Sequence, residues 1–219
     1  MAPDQVLDRL RALADPSRLD GMARYGIGGG TVLGVTVAEL RALAKELGRS
    51  HELAAGLWAS GVHEARILAS LVEEPGQVTA EQLDGWAAGF ASWDLCDQVC
   101  QNLVRHTPFG APLALEWSGR PEPVVKRAGF AVMAGLAVAD KVSGDDRFEP
   151  FLWAIAERAD DERTVVRKGA SWALRQIGKR SPGLHARAVE TAQELVSGGP
   201  GARWVGRDAL RELERRPPR

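Results

Sequence analysis

The sequence predicts an all-α fold, an α-solenoid of stacked helical pairs. Three observations predict it. Apolar residues recur with the 3.6-residue period of helices almost everywhere, and no run alternates with the period of a strand. Short Gly, Pro and Asp turns separate about ten or more segments of helical length. Helices of that kind cannot bury their apolar faces singly, so consecutive short-looped pairs must stack into one core. The units are HEAT-like in size, although no identical residues repeat at a fixed period. A compact orthogonal bundle is the competing arrangement.

The elements read in order as follows. After Asp4, Val6, Leu7, Leu10 and Leu13 make one stripe, and residues 1–20 form an N-terminal capping helix. Residues 25–35 are a glycine-rich loop. Thr36 to Glu39 is a capping box that opens a helix ending at Gly48. Ser50 starts a helix that Gly61 breaks, and His63 to Glu73 resumes. Thr79 to Gln82 reads as a second capping box, ahead of Leu83, Trp86 and Phe90. Trp93 to Arg105 follows, then a short helix whose start Pro108 and Pro112 bracket. Four proline- or turn-delimited helices come after an apolar one near 124–138: 148–159, 163–178, 182–196 and 202–215. Residues 216–219 are a frayed tail, and 1–219 forms one domain.

Composition narrows the functional classes. With 45% hydrophobic and 26% charged residues in 219, the chain is an ordinary globular one. No stretch approaches a membrane span, and the acidic first 20 residues do not suit a secretory signal. Cys96 and Cys100, one helical turn apart, suit reduced thiols and a cytoplasmic setting. A monomer is expected. The net charge of −1 conceals an asymmetry: residues 1–119 carry a net −6 and residues 120–219 a net +5. The basic half can hold a polyanion, or its arginines can simply solvate their helices.

Several chemistries are absent from the pattern. The 29–36 glycines have P-loop spacing, but Val35 stands where the lysine must be and no strand precedes it. His51-Glu52 and His63-Glu64 each lack a second zinc-binding histidine. No metal-ligand spacing, cofactor motif or Gly-x-Ser-x-Gly elbow occurs. What remains begins at Ser92-Trp93-Asp94, a helix start that either Ser92 or Asp94 can cap. Trp93 and Asp97 are four apart and share a face. An indole attracts positive charge through its quadrupole, and a carboxylate attracts it by Coulomb's law. Together they suit a cationic, sugar-like species; the plain alternative is a core tryptophan beside an acid that favours its helix N-terminus. Lys126-Arg127 and Arg167-Lys168 place cations at two further helix starts, where they oppose the helix dipole. Phosphate binding explains them, and so does pairing with the acidic turn 160–162. Lys168 and Trp172 are again four apart.

The ordered set of these residues resembles the DNA alkylation repair family of AlkD-like alkylpurine DNA glycosylases. The resemblance runs from Tyr25-Gly26, Gly34-Val35, Leu40-Arg41 and Leu43-Ala44 through Leu57-Trp58-x-Ser60 and His63-Glu64. It continues with Trp93-Asp94-x-x-Asp97 and Lys126-Arg127-Ala128, and ends in Arg167-Lys168-Gly169-x-x-Trp172-Ala173-Leu174-Arg175. It covers roughly residues 20–180. It implies an all-α, HEAT-like solenoid whose concave basic face holds duplex DNA containing alkylated purines, and which hydrolyses the N-glycosidic bond of cationic N3- or N7-alkylated bases without base flipping. It implies that Asp97 is catalytic, that Trp93 and Trp172 pack against the sugar, and that Arg127 contacts the backbone. Lys126, Arg167, Lys168 and Arg175 are expected to bind DNA with it. Val124-Val125 replace an aromatic often found before the matched arginine, and the glycine-rich loop and acidic first half are also departures. The chemistry fits the residues. A cationic base is already a good leaving group, so one carboxylate and electron-rich rings suffice without metal, cofactor or proton relay. Neutral lesions should react weakly. A non-catalytic nucleic-acid binder or a protein-interaction scaffold is the alternative.

Overall fold

In the computed structural model, described for residues 1–215, thirteen α-helices and three short 3-10 turns occur without a strand among the described residues. The expected tail at 216–219 lies outside them. The chain divides into two compact units, residues 1–107 and residues 108 onward.

In the first unit α1 (Pro3–Ala12), α2 (Leu19–Arg24), α3 (Val37–Leu47), α4 (His51–Ala59), α5 (His63–Val72), α6 (Ala80–Ala88) and α7 (Trp93–Asn102) follow in order. The helix α5 is its centre, packing on α3, α4 and α7 and burying Ile67, Leu68 and Val72. Local sequence chemistry explains three of these starts, those of α3, α4 and α6. Thr36 and Glu39 make the expected reciprocal capping box, and the Ser50 hydroxyl accepts from the Leu53 amide. Gly48 ends α3 at φ +72°, a conformation that favours glycine. Trp58 and Trp86 stack face to face at 4.2 Å, with the Arg66 guanidinium over Trp58.

Three expectations shift. Leu13 is exposed, because α1 ends at Ala12. Thr79 caps α6, but the Gln82 side chain donates to Glu73 at 3.0 Å, so the second capping box is half formed. The predicted helix to Arg105 stops at Asn102 and continues as a 3-10 turn over Val104–His106. The short α2 buries no residue, which is why it leaves no apolar stripe to read.

The second unit contains α8 (Gly110–Trp117), α9 (Pro123–Ala139), α10 (Glu149–Arg158), α11 (Thr164–Gly178), α12 (Pro182–Val196) and α13 (Pro200–Leu213). The helix α9 is buried almost all round, as an apolar helix should be, and packs on α8 and α11. Gly129 makes the close α8 contact possible: a Cβ there would lie 2.3 Å from the Ser118 amide nitrogen. The helix α11 packs in turn on α13. Arg167 lies over the Trp204 ring, Ser171 donates to Asp208 and Arg175 pairs with Glu212, each pair 37 positions apart. A constant offset at every turn means that α11 and α13 run parallel, as like helices of consecutive repeats do. The start of α13 at Pro200, two residues before the expected Ala202, has a tertiary cause. Asp160 accepts from the Gly201 and Ala202 amides, a cap delivered from the turn before α11.

Candidate active site

The candidate site in the first unit is built at the start of α7. Ser92 has extended backbone and takes the N-cap position, but its hydroxyl makes no cap bond and instead donates to Asp94 at 2.6 Å. Asp94 in turn meets the buried His63 Nε2 at 2.9 Å. Burial alone would raise the Asp94 carboxyl. The hydrogen bond from His63 and its charge, with the Ser92 hydroxyl and the Leu95 amide, hold it below the usual aspartate value. This anchoring fixes the first turn of α7, and with it Trp93 and Asp97.

The sign of the Asp94 shift gives a pH prediction. A carboxyl held low in the fold adds stability at pH values above the unfolded aspartate value, about 3.9, and loses it as pH falls through the folded value. Asp94→Asn should therefore be less stable at pH 7, and its stability should fall less between pH 5 and pH 3 than the wild type's. Urea melts across that range measure both; parallel pH curves for the two proteins would show that the pair contributes nothing.

The glycine-rich loop supplies the other wall. Its amides do cradle an anion, but the anion is the chain's own: the buried Glu64 carboxylate accepts from Leu33 N at 2.9 Å and from Gly34 N at 2.7 Å. The loop is pinned further by Asp15 N on the Leu33 carbonyl, Arg18 on the Gly34 carbonyl and His63 N on the Thr31 carbonyl. Gly34 has φ +80°, and a Cβ there would lie 2.3 Å from the Asp15 carbonyl oxygen, so both conformation and space require glycine. The loop's first residue, Tyr25, accepts a 2.8 Å hydrogen bond from the Trp93 indole N–H through its carbonyl. Trp93 is thereby held by its edge while 37% of its surface remains exposed.

Trp93 and Asp97 line one cleft of about 460 Å³, together with Arg18, Ile27, His63 and Gln98. That is the size of a small-molecule site, with a mostly apolar wall and few polar groups. Asp97 is half-buried and Trp93 is partly open, so neither belongs to a greasy core. Arg18 and the carbonyl of Tyr25 are parts of this site that helix periodicity could not locate; the capping residue Asp15, which pairs with Arg18 at 3.0 Å, is the local signal that this arginine is held.

The second unit holds the remaining expected site residues. Lys168 is exposed on α11, and Trp172 is half-buried one turn further along the same face. The other four cations have partners inside the unit. Lys126 pairs with Asp161 at 3.1 Å, whose carboxyl is held well below the ordinary range by hydrogen bonds from Arg163, against burial, and from Lys126. Arg127 is 8% exposed and donates to the Val165 carbonyl at 2.9 Å. It rests on Gly169, where a Cβ would come within 3.3 Å of its side chain. Arg167 stacks on Trp204, and Arg175 pairs with Glu212. The acidic turn at 160–162 therefore does accept one of these cations, as the alternative reading of the sequence allowed.

Comparison with known proteins gives the fold and family. A solved structure described as one of "a new family of proteins related to the HEAT-like repeat DNA glycosylases with affinity for branched DNA structures" superposes with a TM-score of 0.80. The match covers 98% of this chain and 95% of that one at 20% identity, and it shows that the fold is the all-α HEAT-like one. Two curated relatives are uncharacterised proteins, Lin0241 of Listeria innocua and Lmo0209 of Listeria monocytogenes. They are 22% and 21% identical over 196 residues, covering 88% of this chain and 85% of each relative. The sequence profile described as DNA alkylation repair enzyme matches residues 6–213, nearly the whole chain, and the protein is a member of that family.

Proposed function

We propose that the protein is a DNA glycosylase that hydrolyses the N-glycosidic bond of cationic N3- or N7-alkylated purines in duplex DNA. The observation that carries this reading is the pairing of Trp93 and Asp97 along one open cleft in a chain of the DNA alkylation repair family. In the reaction the bond between C1′ and the base nitrogen breaks, and its electron pair neutralises the purine's positive charge. The sugar left behind has oxocarbenium character. Asp97 stabilises that charge through space and orients a water toward C1′; the water's proton leaves to solvent as the new C–O bond forms. The Trp93 face adds its quadrupole, and the Tyr25 carbonyl keeps the indole from turning. On this proposal Trp172 is a second aromatic for the sugar, and Lys168 contacts the phosphate backbone. Lys126, Arg127, Arg167 and Arg175 keep α9, α11 and α13 in place and add positive potential for DNA.

The test is release of 7-methylguanine or 3-methyladenine from methylated duplex DNA. The wild type should release both, and Trp172→Ala should do so roughly tenfold more slowly, a loss of about 1.4 kcal/mol of transition-state stabilisation. A second reading has its own support, since the structural neighbour is described by affinity for branched DNA. On that reading the protein binds DNA junctions without cutting a bond. Absence of base release, together with tight binding to a four-way junction, would establish it in place of the first.

A further inference from the structure

We propose that three arginines of α13, Arg203, Arg207 and Arg211, form with Lys168 a strip that grips the sugar–phosphate backbone of duplex DNA. The inference deepens the DNA-binding part of the proposed function and rests on it. No sequence expectation included these residues.

The geometry follows from the contacts between α11 and α13. Arg167, Ser171 and Arg175 point from α11 toward α13, and Trp204, Asp208 and Glu212 point back. Each residue turns about 100° around its helix relative to the one before. For two parallel right-handed helices, the positions just after the contacts on α11 and just before them on α13 turn to the same side. Those positions are Lys168 and Trp172 on α11, and Arg203, Arg207 and Arg211 on α13. All three arginines are exposed, and they line a shallow groove of about 370 Å³ with Pro200, Trp204 and Asp208.

Their charge is available. Arg207 and Lys168 have no hydrogen-bond or ion-pair partner among the described residues. Arg203 donates only to the Gly198 carbonyl, and Arg211 approaches Asp208 at a loose 3.8 Å. The acids nearby are already engaged: Asp208 accepts from Ser171, and Glu212 is bound by Arg175 and Lys179. Arg167 carries a further cation that faces no carboxylate; it lies 4.8 Å over Trp204 with its Nε buried and unbonded.

Helix stability accounts for Arg211, a cation in the last turn where the helix dipole favours it, but not for the row as a whole. Like charges four apart repel, at a cost of a few tenths of a kcal/mol per pair, and Arg203 stands in the first turn, against the helix dipole. A row of arginines 12 Å long, from the helical rise of about 1.5 Å per residue, spans three or four phosphates of one DNA strand at about 3.4 Å of axis each. The indole of Trp172 beside that row places the strip on the same face as the aromatic assigned to the sugar.

The experiment measures affinity for undamaged duplex DNA across a salt series. Replacing all three arginines by alanine should weaken binding about 100-fold at about 0.15 M salt. It should also reduce the slope of log affinity against log salt by about 2.7, at about 0.9 per lost phosphate contact. Replacing them by lysine should restore most of the slope, which a merely structural role would not predict. Circular dichroism melts confirm that each variant is folded. Base release is measured separately on methylated DNA. Unchanged affinity and slope in the alanine variant, beside intact base release, overturns the strip alone. Absence of base release in every protein, beside a weakened alanine variant, overturns the glycosylase reading and leaves the strip standing.

Discussion

Asp97→Asn is expected to lower the rate of 7-methylguanine release about 10²- to 10³-fold while leaving DNA affinity and thermal stability close to wild type. The magnitude is that of removing one preorganised group aimed at developing charge, about 3–4 kcal/mol of barrier. Asparagine keeps the volume and one oxygen but not the negative charge, so it separates electrostatics from packing. The fold should tolerate it, because the first turn of α7 is anchored by the neighbouring Ser92–Asp94–His63 chain rather than by charge at position 97 alone. A substrate already carrying positive charge on its base needs no proton donor, so the loss should be similar across neutral pH. Single-turnover base release, paired with a melt and a binding curve, makes the comparison. Undiminished release by the asparagine variant would mean that Asp97 only favours its helix, and the cleft would need another source of catalysis.

The parts of this protein that were legible in its sequence are those set by local chemistry. Thr36 with Glu39, Ser50, Gly48 and Pro182 mark helix ends because caps and stops are satisfied by residues within four positions. The shared face of Trp93 and Asp97 was equally legible, since spacing alone dictates it. What the sequence hid is tertiary. The cap of α13 comes from Asp160, some forty residues earlier, so the helix start could not be placed from its own flanks. The anion held by the glycine-rich loop is Glu64, thirty residues away, and its spacing resembles a phosphate loop without being one. The repeat was hidden for a different reason. Aligned on their first residues, α9, α11 and α13 carry a cation at the fourth position, Lys126, Arg167 and Arg203. Their partners differ each time: a carboxylate, an indole face and a loop carbonyl. The repeat is one of backbone placement, with the side chains free to diverge. For the same reason Lys126, Arg167 and Arg175, grouped with Lys168 by residue type, separate from it once their neighbours are in place.

Glu64→Ala should be the most damaging single substitution near the site. The side chain is fully buried and is the acceptor for two loop amides, the buried Gly34 N and the partly buried Leu33 N. Each orphaned donor costs about 1–3 kcal/mol, so the variant should lose about 2–6 kcal/mol. Against a typical domain stability of about 5–15 kcal/mol, that leaves a marginal protein. The effect should also reach the chemistry. With the loop unpinned, the Tyr25 carbonyl no longer fixes the Trp93 indole, and base release by the folded fraction should fall below what the lost stability explains. Glu64→Gln separates the two consequences. Its one carbonyl oxygen, placed as Oε1, can still accept from Gly34 N and Leu33 N, but its amide group would face Leu33 N with a donor in place of the second oxygen, so it should fall between wild type and alanine in both readouts. Urea melts give the stability, and hydrogen exchange at residues 26–34 gives the order of the loop. Were Glu64→Ala to melt like the wild type with its loop amides still protected, the three contacts that tie Arg18, Asp15 and His63 to the loop would be sufficient to hold it. The carboxylate would then be a passenger, and the edge that keeps Trp93 in the cleft would have to be explained by those contacts alone.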